Sequence, residues 1–196
     1  MQKCPSAKLS PVAGNPHRYD RAKDKLGRVD STKPARDDTG LRFREAVAAD
    51  RPRLIALINA AFAIETFLEG TRTDEDRLSA MMATGTIVVA ENFSGTLLGS
   101  VYTERRGQRG YLGMLAVDPA YQGLGLARRL IAEAEERFHL QGCEAVDIIV
   151  LSLRPELPPI YRRFGYIETG IEPFKPSRTL RPGQECHGIT MSKKLS

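Results

Sequence analysis

The chain has no tryptophan, three cysteines and three histidines among its 196 residues. Cys4, Cys143 and Cys186 are odd in number, widely spaced and without paired histidines, which argues against a disulfide framework or a zinc site. His17, His139 and His187 are equally scattered, so no metal is expected. No apolar run approaches the roughly 18 residues of a membrane span, so no membrane association is expected. The first thirty residues lack the apolar core of a secretory signal, and their aspartates do not suit a transit peptide; a cytoplasmic location is expected. An excess of one charge is also missing from most of the chain. Residues 1–40 hold nine Lys/Arg against five Asp, whereas residues 41–196 hold 20 basic and 19 acidic residues. The net charge of +5 therefore sits mainly in the N-terminal segment, and nucleic-acid binding by the remainder has little support.

Residues 1–40 also contain few large apolar side chains, so they cannot bury enough surface to offset the entropy of ordering. They are expected to form a disordered basic leader, and residues 41–196 a single domain. From Leu41 the pattern changes. "LRFREAV" alternates like a strand, Asp50 can cap a helix over "RPRLIALINAAF", and Thr73 opens a second helix that Gly85 stops. "TIVVAENF" and "TLLGSVYTERR" read as a hairpin around Ser94–Gly95, with "RGYLGMLAV" as the next strand. A helix follows over about 124–141, with Leu126, Leu130, Ala134 and Phe138 on one buried stripe. "AVDIIVLSL" is a continuous apolar run suited to a strand covered on both faces, "PPIYRRFG" a helix, and "YIETGIEPF" and "CHGITMSKKL" two closing strands. The strand–helix–strand step over 110–151 predicts one parallel pair in an otherwise antiparallel sheet. The fold class is α/β, a three-layer mixed domain whose strand edges could support a homodimer.

The start of the long helix is locally unfavourable. Gly123, Gly125 and Ala127 open it, Arg128 and Arg129 occupy its first turn, and no acid follows Gln122 until Glu133. Glycine is a poor helix former, and cations oppose the positive end of the helix dipole. Small residues, however, let a ligand reach backbone N–H groups that have no intrahelical partner, so the pattern suits a phosphate. The alternative is a turn made small for helix–strand packing. The spacing is neither a Walker loop nor a dinucleotide G-x-G-x-x-G.

Gln122, Gly125 and Ala127, placed after "LAVDPAY", fit Q/R-x-x-G-x-G/A and resemble the acyl-CoA-binding signature of the GNAT superfamily of N-acyltransferases. "LSLRPELPPIYRRFGY" resembles that family's later helix, with Tyr161 followed by Gly165 and Tyr166. The likeness runs over roughly 41–195. It implies that the two parallel strands splay, that the backbone of Leu115, Ala116 and Val117 holds the pantetheine and acyl group, and that N–H groups from Gln122 through Gly123, Leu124, Gly125 and Leu126 to Ala127 hold the pyrophosphate, beside Arg128. It implies N-acetyl transfer from acetyl-CoA to a primary amine of a small molecule or a protein by direct attack, with Tyr161 protonating the thiolate. A core tyrosine is the alternative for Tyr161, and a non-catalytic CoA-binding module the alternative for the chain. An ammonium of pKa ~10.4 must lose a proton before it attacks. Glu104, Glu65 and Glu69 are candidate bases, Glu104 the tentative choice, and water could relay the proton instead. Arg72 or Arg154 could pair with an acidic acceptor or simply fasten loops.

Overall fold

The structure, a computed structural model, describes residues 40–173 and 178–195. Apart from Gly40, the basic leader expected over residues 1–40 lies outside the described residues. Chain order is β1 (Arg42–Glu45), α1 (Arg51–Ala61), α2 (Glu75–Thr84), β2 (Thr86–Glu91), β3 (Leu97–Arg106), β4 (Arg109–Val117), α3 (Leu126–Leu140), β5 (Ala145–Leu151), α4 (Leu157–Arg163), β6 (Ile167–Pro173) and β7 (His187–Lys194). The strands form a single sheet in the order β1-β2-β3-β4-β5-β7-β6, antiparallel throughout except for β4 beside β5.

Successive side chains of β2 leave on opposite faces, and both sets are buried. Ile87 and Val89 pack with Leu54, Ile58 and Leu78 beneath α1 and α2, whereas Val88 and Ala90 join the cluster that contains Leu130, Ala134 and Phe138 of α3. That division makes the three layers. The buried stripe of α3 is Leu126, Leu130, Ile131, Ala134 and Phe138, as its spacing predicts, and Arg137 Nε donates to Glu133 at 2.8 Å on the outer side. The sheet makes room for this helix with glycine. A Cβ at Gly99 would stand 2.8 Å from Leu130, and one at Gly110 would stand 2.5 Å from the Phe138 ring.

Two caps differ from the sequence reading. Asp50 precedes α1 but makes no cap hydrogen bond to it; its carboxylate accepts from Val47 N at 2.9 Å and from Arg44 and Arg53. The arginines outcompete the helix for its oxygens. Helix α2 is capped by Asp74, whose Oδ1 accepts from Arg77 N at 2.9 Å, because Thr73 is buried with its N–H donated to Asn59. The hairpin at Ser94–Gly95 forms as read, with Asn92 Oδ1 accepting from Thr96 N and Gly95 at φ +77°.

Candidate active site

Strands β4 and β5 pair over three residues only, Arg109↔Ala145, Gly110↔Val146 and Tyr111↔Asp147, and then part. The splay opens a cleft of about 760 Å³, bordered by Gly113, Met114, Leu115 and Val117 on one side and Ile148 to Leu151 on the other. A bulge drives β4 away from straight pairing: Met114 and Leu115 together stand opposite Val101 of β3. Met114 takes φ +48°, and among the described residues it is the one non-glycine in that region. The strained residue lies on the cleft wall.

The cleft runs into the start of α3. Gly123 at φ +75° and Gly125 at φ +83° hold left-handed conformations, which only glycine adopts without penalty. Gly125 is the N-cap, no side chain caps the helix, and no acid lies in its first turn. A Cβ built at Gly125 meets nothing within 4 Å, so space for a ligand adjoins the unpaired N–H groups. Gln122 Nε2 donates to Val117 O at 3.1 Å and ties the loop to the strand end. Arg128 borders the cleft, but Arg129 turns away, its guanidinium 5.6 Å from the Phe43 ring. The structure thus brings Leu115, Val117, Gln122, Gly123, Gly125, Leu126, Ala127 and Arg128 to one cleft. Ala116 and Leu124 are not on its wall; the Ala116 side chain is buried in the α1 core.

Tyr161, on α4, borders the same cleft. Its ring meets Tyr166 edge-on at 5.8 Å and Phe164 at 6.3 Å. Burial pushes its phenol up to about 12, with Arg154 opposing, so it keeps its proton at neutral pH. Glu104 lies elsewhere. Its carboxylate accepts from Arg106 at 2.7 Å and from the Tyr102 hydroxyl, and the Arg106 bond holds its pKa below the usual range. Glu65 is on the cleft wall but buried, ion-paired to Arg178 at 2.5 Å, Arg154 at 3.3 Å and Arg72 at 3.8 Å. Of the other cleft carboxylates, Glu156 binds Arg154 at 2.5 Å, and Glu172 of β6 has no ion-pair or hydrogen-bond partner among the described residues. Sequence reasoning missed Glu172 and Arg178. Nothing in "YIETGIEPF" marks which of its two acids the sheet order turns toward the cleft.

The strand splay, the bulge and the uncapped glycine-rich helix start together make a slot that ends at unpaired backbone N–H groups. Residues 55–176 match the family described as acetyltransferase (GNAT) domain. The chain belongs to the GNAT family. A mycothiol acetyltransferase from Propionibacterium freudenreichii subsp. shermanii is 28% identical over 158 residues, covering 74% of this chain and 50% of that protein. An acetyltransferase from Yersinia pestis is 34% identical over 79 residues, 40% of this chain and 55% of that protein. The chain thus spans about half the length of the curated relatives it matches. The crystal structure of a GNAT superfamily phosphinothricin acetyltransferase from Sinorhizobium meliloti, in complex with AcCoA, superposes with a TM-score of 0.63 at 19% identity, covering 80% of this GNAT chain and 89% of that one. At that identity the likeness speaks for the fold.

Proposed function

We propose that this GNAT chain transfers an acetyl group from acetyl-CoA to a primary amine by direct attack of the amine. The observation that carries the reading is the parting of β4 and β5 into a slot that ends on the bare N-terminus of α3. The slot fits the cosubstrate's shape and charge: an open strand edge for an amide-bearing arm, and free N–H groups with Arg128 for a pyrophosphate. The names of the curated relatives support acetyl as the transferred group.

Acetyl-CoA, when bound, supplies the acetyl group as an activated thioester. The chain's residues then have two tasks, positioning and proton management. The β4 edge at Leu115 to Val117 orients the acyl end, and the N–H groups from Gln122 to Ala127 anchor the far end. Tyr161 keeps its proton and donates a hydrogen bond from its hydroxyl to the departing sulfur, stabilising the charge that develops there; a thiol of pKa near ~8.5 is the stronger acid, so the sulfur leaves as a hydrogen-bonded thiolate. Glu172, the cleft carboxylate without a cation of its own, receives the ammonium proton in place of Glu104, which stands off the cleft wall. The acceptor is a small molecule or a protein amine.

Isothermal titration with acetyl-CoA, against desulfo-CoA and ATP, tests the reading. One-site saturable binding of acetyl-CoA, with acetylated amine seen by mass spectrometry, is the expected result. No binding to the folded protein overturns it, and binding without turnover on any amine would make the chain a CoA-binding module.

A further inference from the structure

We infer that the acceptor is a small amine that also carries a carboxylate, and that Arg72 receives that carboxylate. The inference rests on the acetyl-transfer reading and names its substrate class.

Three guanidiniums border one end of the cleft, those of Arg72, Arg154 and Arg178. They come from different segments: the loop between α1 and α2, the β5–α4 turn, and the segment before β7. Two carboxylates engage them. Glu65 accepts from Arg178 at Oε2 (2.5 Å) and from Arg154 at Oε1 (3.3 Å), and Glu156 accepts from Arg154 at 2.5 Å. Arg72 is left over. Its Nη1 stands 3.8 Å from Glu65, beyond hydrogen-bond reach, and its one hydrogen bond is from Nε to the Met114 sulfur at 3.0 Å. A thioether is a weak acceptor, and a guanidinium carries five donors in a planar fork that matches a carboxylate. The fork is held in place by its position 4.6 Å over the Phe62 ring.

Fastening the loops does not require Arg72. Glu69 N donates to Thr179 O at 2.9 Å, Arg181 N donates to Phe67 O at 3.0 Å, and Leu68 bridges Leu180, so backbone bonds and the Glu65–Arg178 pair already join them. A half-buried guanidinium whose partners are a thioether, an aromatic face and a carboxylate 3.8 Å away that two other arginines share keeps hydrogen-bond donors for a ligand's anion. Its place is also informative. Met114 is the bulge residue of β4, so the sulfur that Arg72 touches belongs to the strand that orients the acyl group. Glu172 adds a lone negative charge on the same cleft. A cation whose nearest carboxylate, Glu65, is shared with two other arginines, and an anion with no ion-pair partner among the described residues, suit a substrate with one carboxylate and one ammonium.

The experiment measures kcat/KM on the full chain for a panel of α-amino acids, each against its own amide, with acetyl-CoA as donor. Acids are expected to exceed amides by at least tenfold, because the amide leaves Arg72 without its anion. Arg72→Gln should lower kcat/KM on acids at least tenfold and bring the acid-to-amide ratio close to one, while calorimetric acetyl-CoA affinity stays unchanged. Amides acetylated as fast as acids would overturn the inference on the unmodified protein, whether or not the variant folds. An unchanged ratio in a folded Arg72→Gln variant would overturn it as well. Failure of acetyl-CoA to bind at all would instead sink the acetyl-transfer reading, so the two failures are distinct.

Discussion

In the proposed reaction, Tyr161 and Glu172 divide the proton traffic by environment. Burial among Tyr166, Phe164 and the cleft wall keeps the Tyr161 proton in place to about pH 12, which makes it a standing donor rather than a base. Tyr161→Phe should lower kcat roughly 10- to 100-fold, at the low end for a lost hydrogen-bond donor because a thiolate leaves readily. Its acetyl-CoA Kd should change less than twofold; a normal kcat would return the residue to a packing role. Glu172→Gln should lower kcat/KM about 100-fold near pH 7, and the deficit should shrink as pH rises toward ~10, where the amine sheds its proton unaided. A pH–rate profile of both proteins checks this, and parallel profiles would remove Glu172 from the reaction.

Helix α3 shows which parts of the design are written locally. Its buried stripe, its first-turn arginines and its small opening residues are all contiguous in sequence, so their meaning can be read from spacing alone. Strand order cannot be read that way. The insertion of β7 between β5 and β6, which puts Glu172 and Arg178 on the cleft, depends on long-range pairings such as Ala145↔Lys194 and Leu151↔Gly188. The same limit explains Asp50: its place before a helix with Pro52 reads as a cap, but Arg44 and Arg53 claim the carboxylate once β1 folds. Glu104 stands opposite the cleft residue Tyr111, but Arg106, two residues on along β3, takes its carboxylate, and Glu104 is not itself on the wall. At the helix start, Gly125→Glu adds a left-handed residue and a negative charge at the proposed pyrophosphate seat. The strain costs about 1–2 kcal/mol, which the domain should survive because a Cβ there meets nothing within 4 Å. Acetyl-CoA binding by calorimetry should be lost while the circular dichroism spectrum stays native; retained affinity would refute the anion seat.

Across the whole molecule, the far edge of the sheet is secured by charge. Asp50 is buried between Arg44 (2.6 Å) and Arg53 (2.5 Å), and Glu91 accepts from Arg42 and Arg44. The Arg44 bond lowers Asp50 to about 2, and Glu91 is shifted the same way by the same arginine. Since the folded pKa lies below the unfolded value of ~3.9, this stability is fully present above about pH 4 and disappears as pH falls toward 2. Tm should therefore hold level from pH 7 to 5 and drop between 4 and 2. Asp50→Asn should start lower at pH 6 and fall less steeply; equal slopes would assign acid unfolding to other groups.

The brief pairing of β4 with β5 has a mechanical meaning. Three residue pairs make the seam between a four-stranded leaf, β1 to β4, and a three-stranded leaf of β5, β7 and β6. Arg72 and the Met114 bulge ride on the first leaf, Tyr161 and Glu172 on the second. The cleft residues of the two leaves thus face one another across a short seam. Glu65, reaching from the first leaf to Arg154 and Arg178 on the second, joins the two leaves by charge where their strands no longer pair.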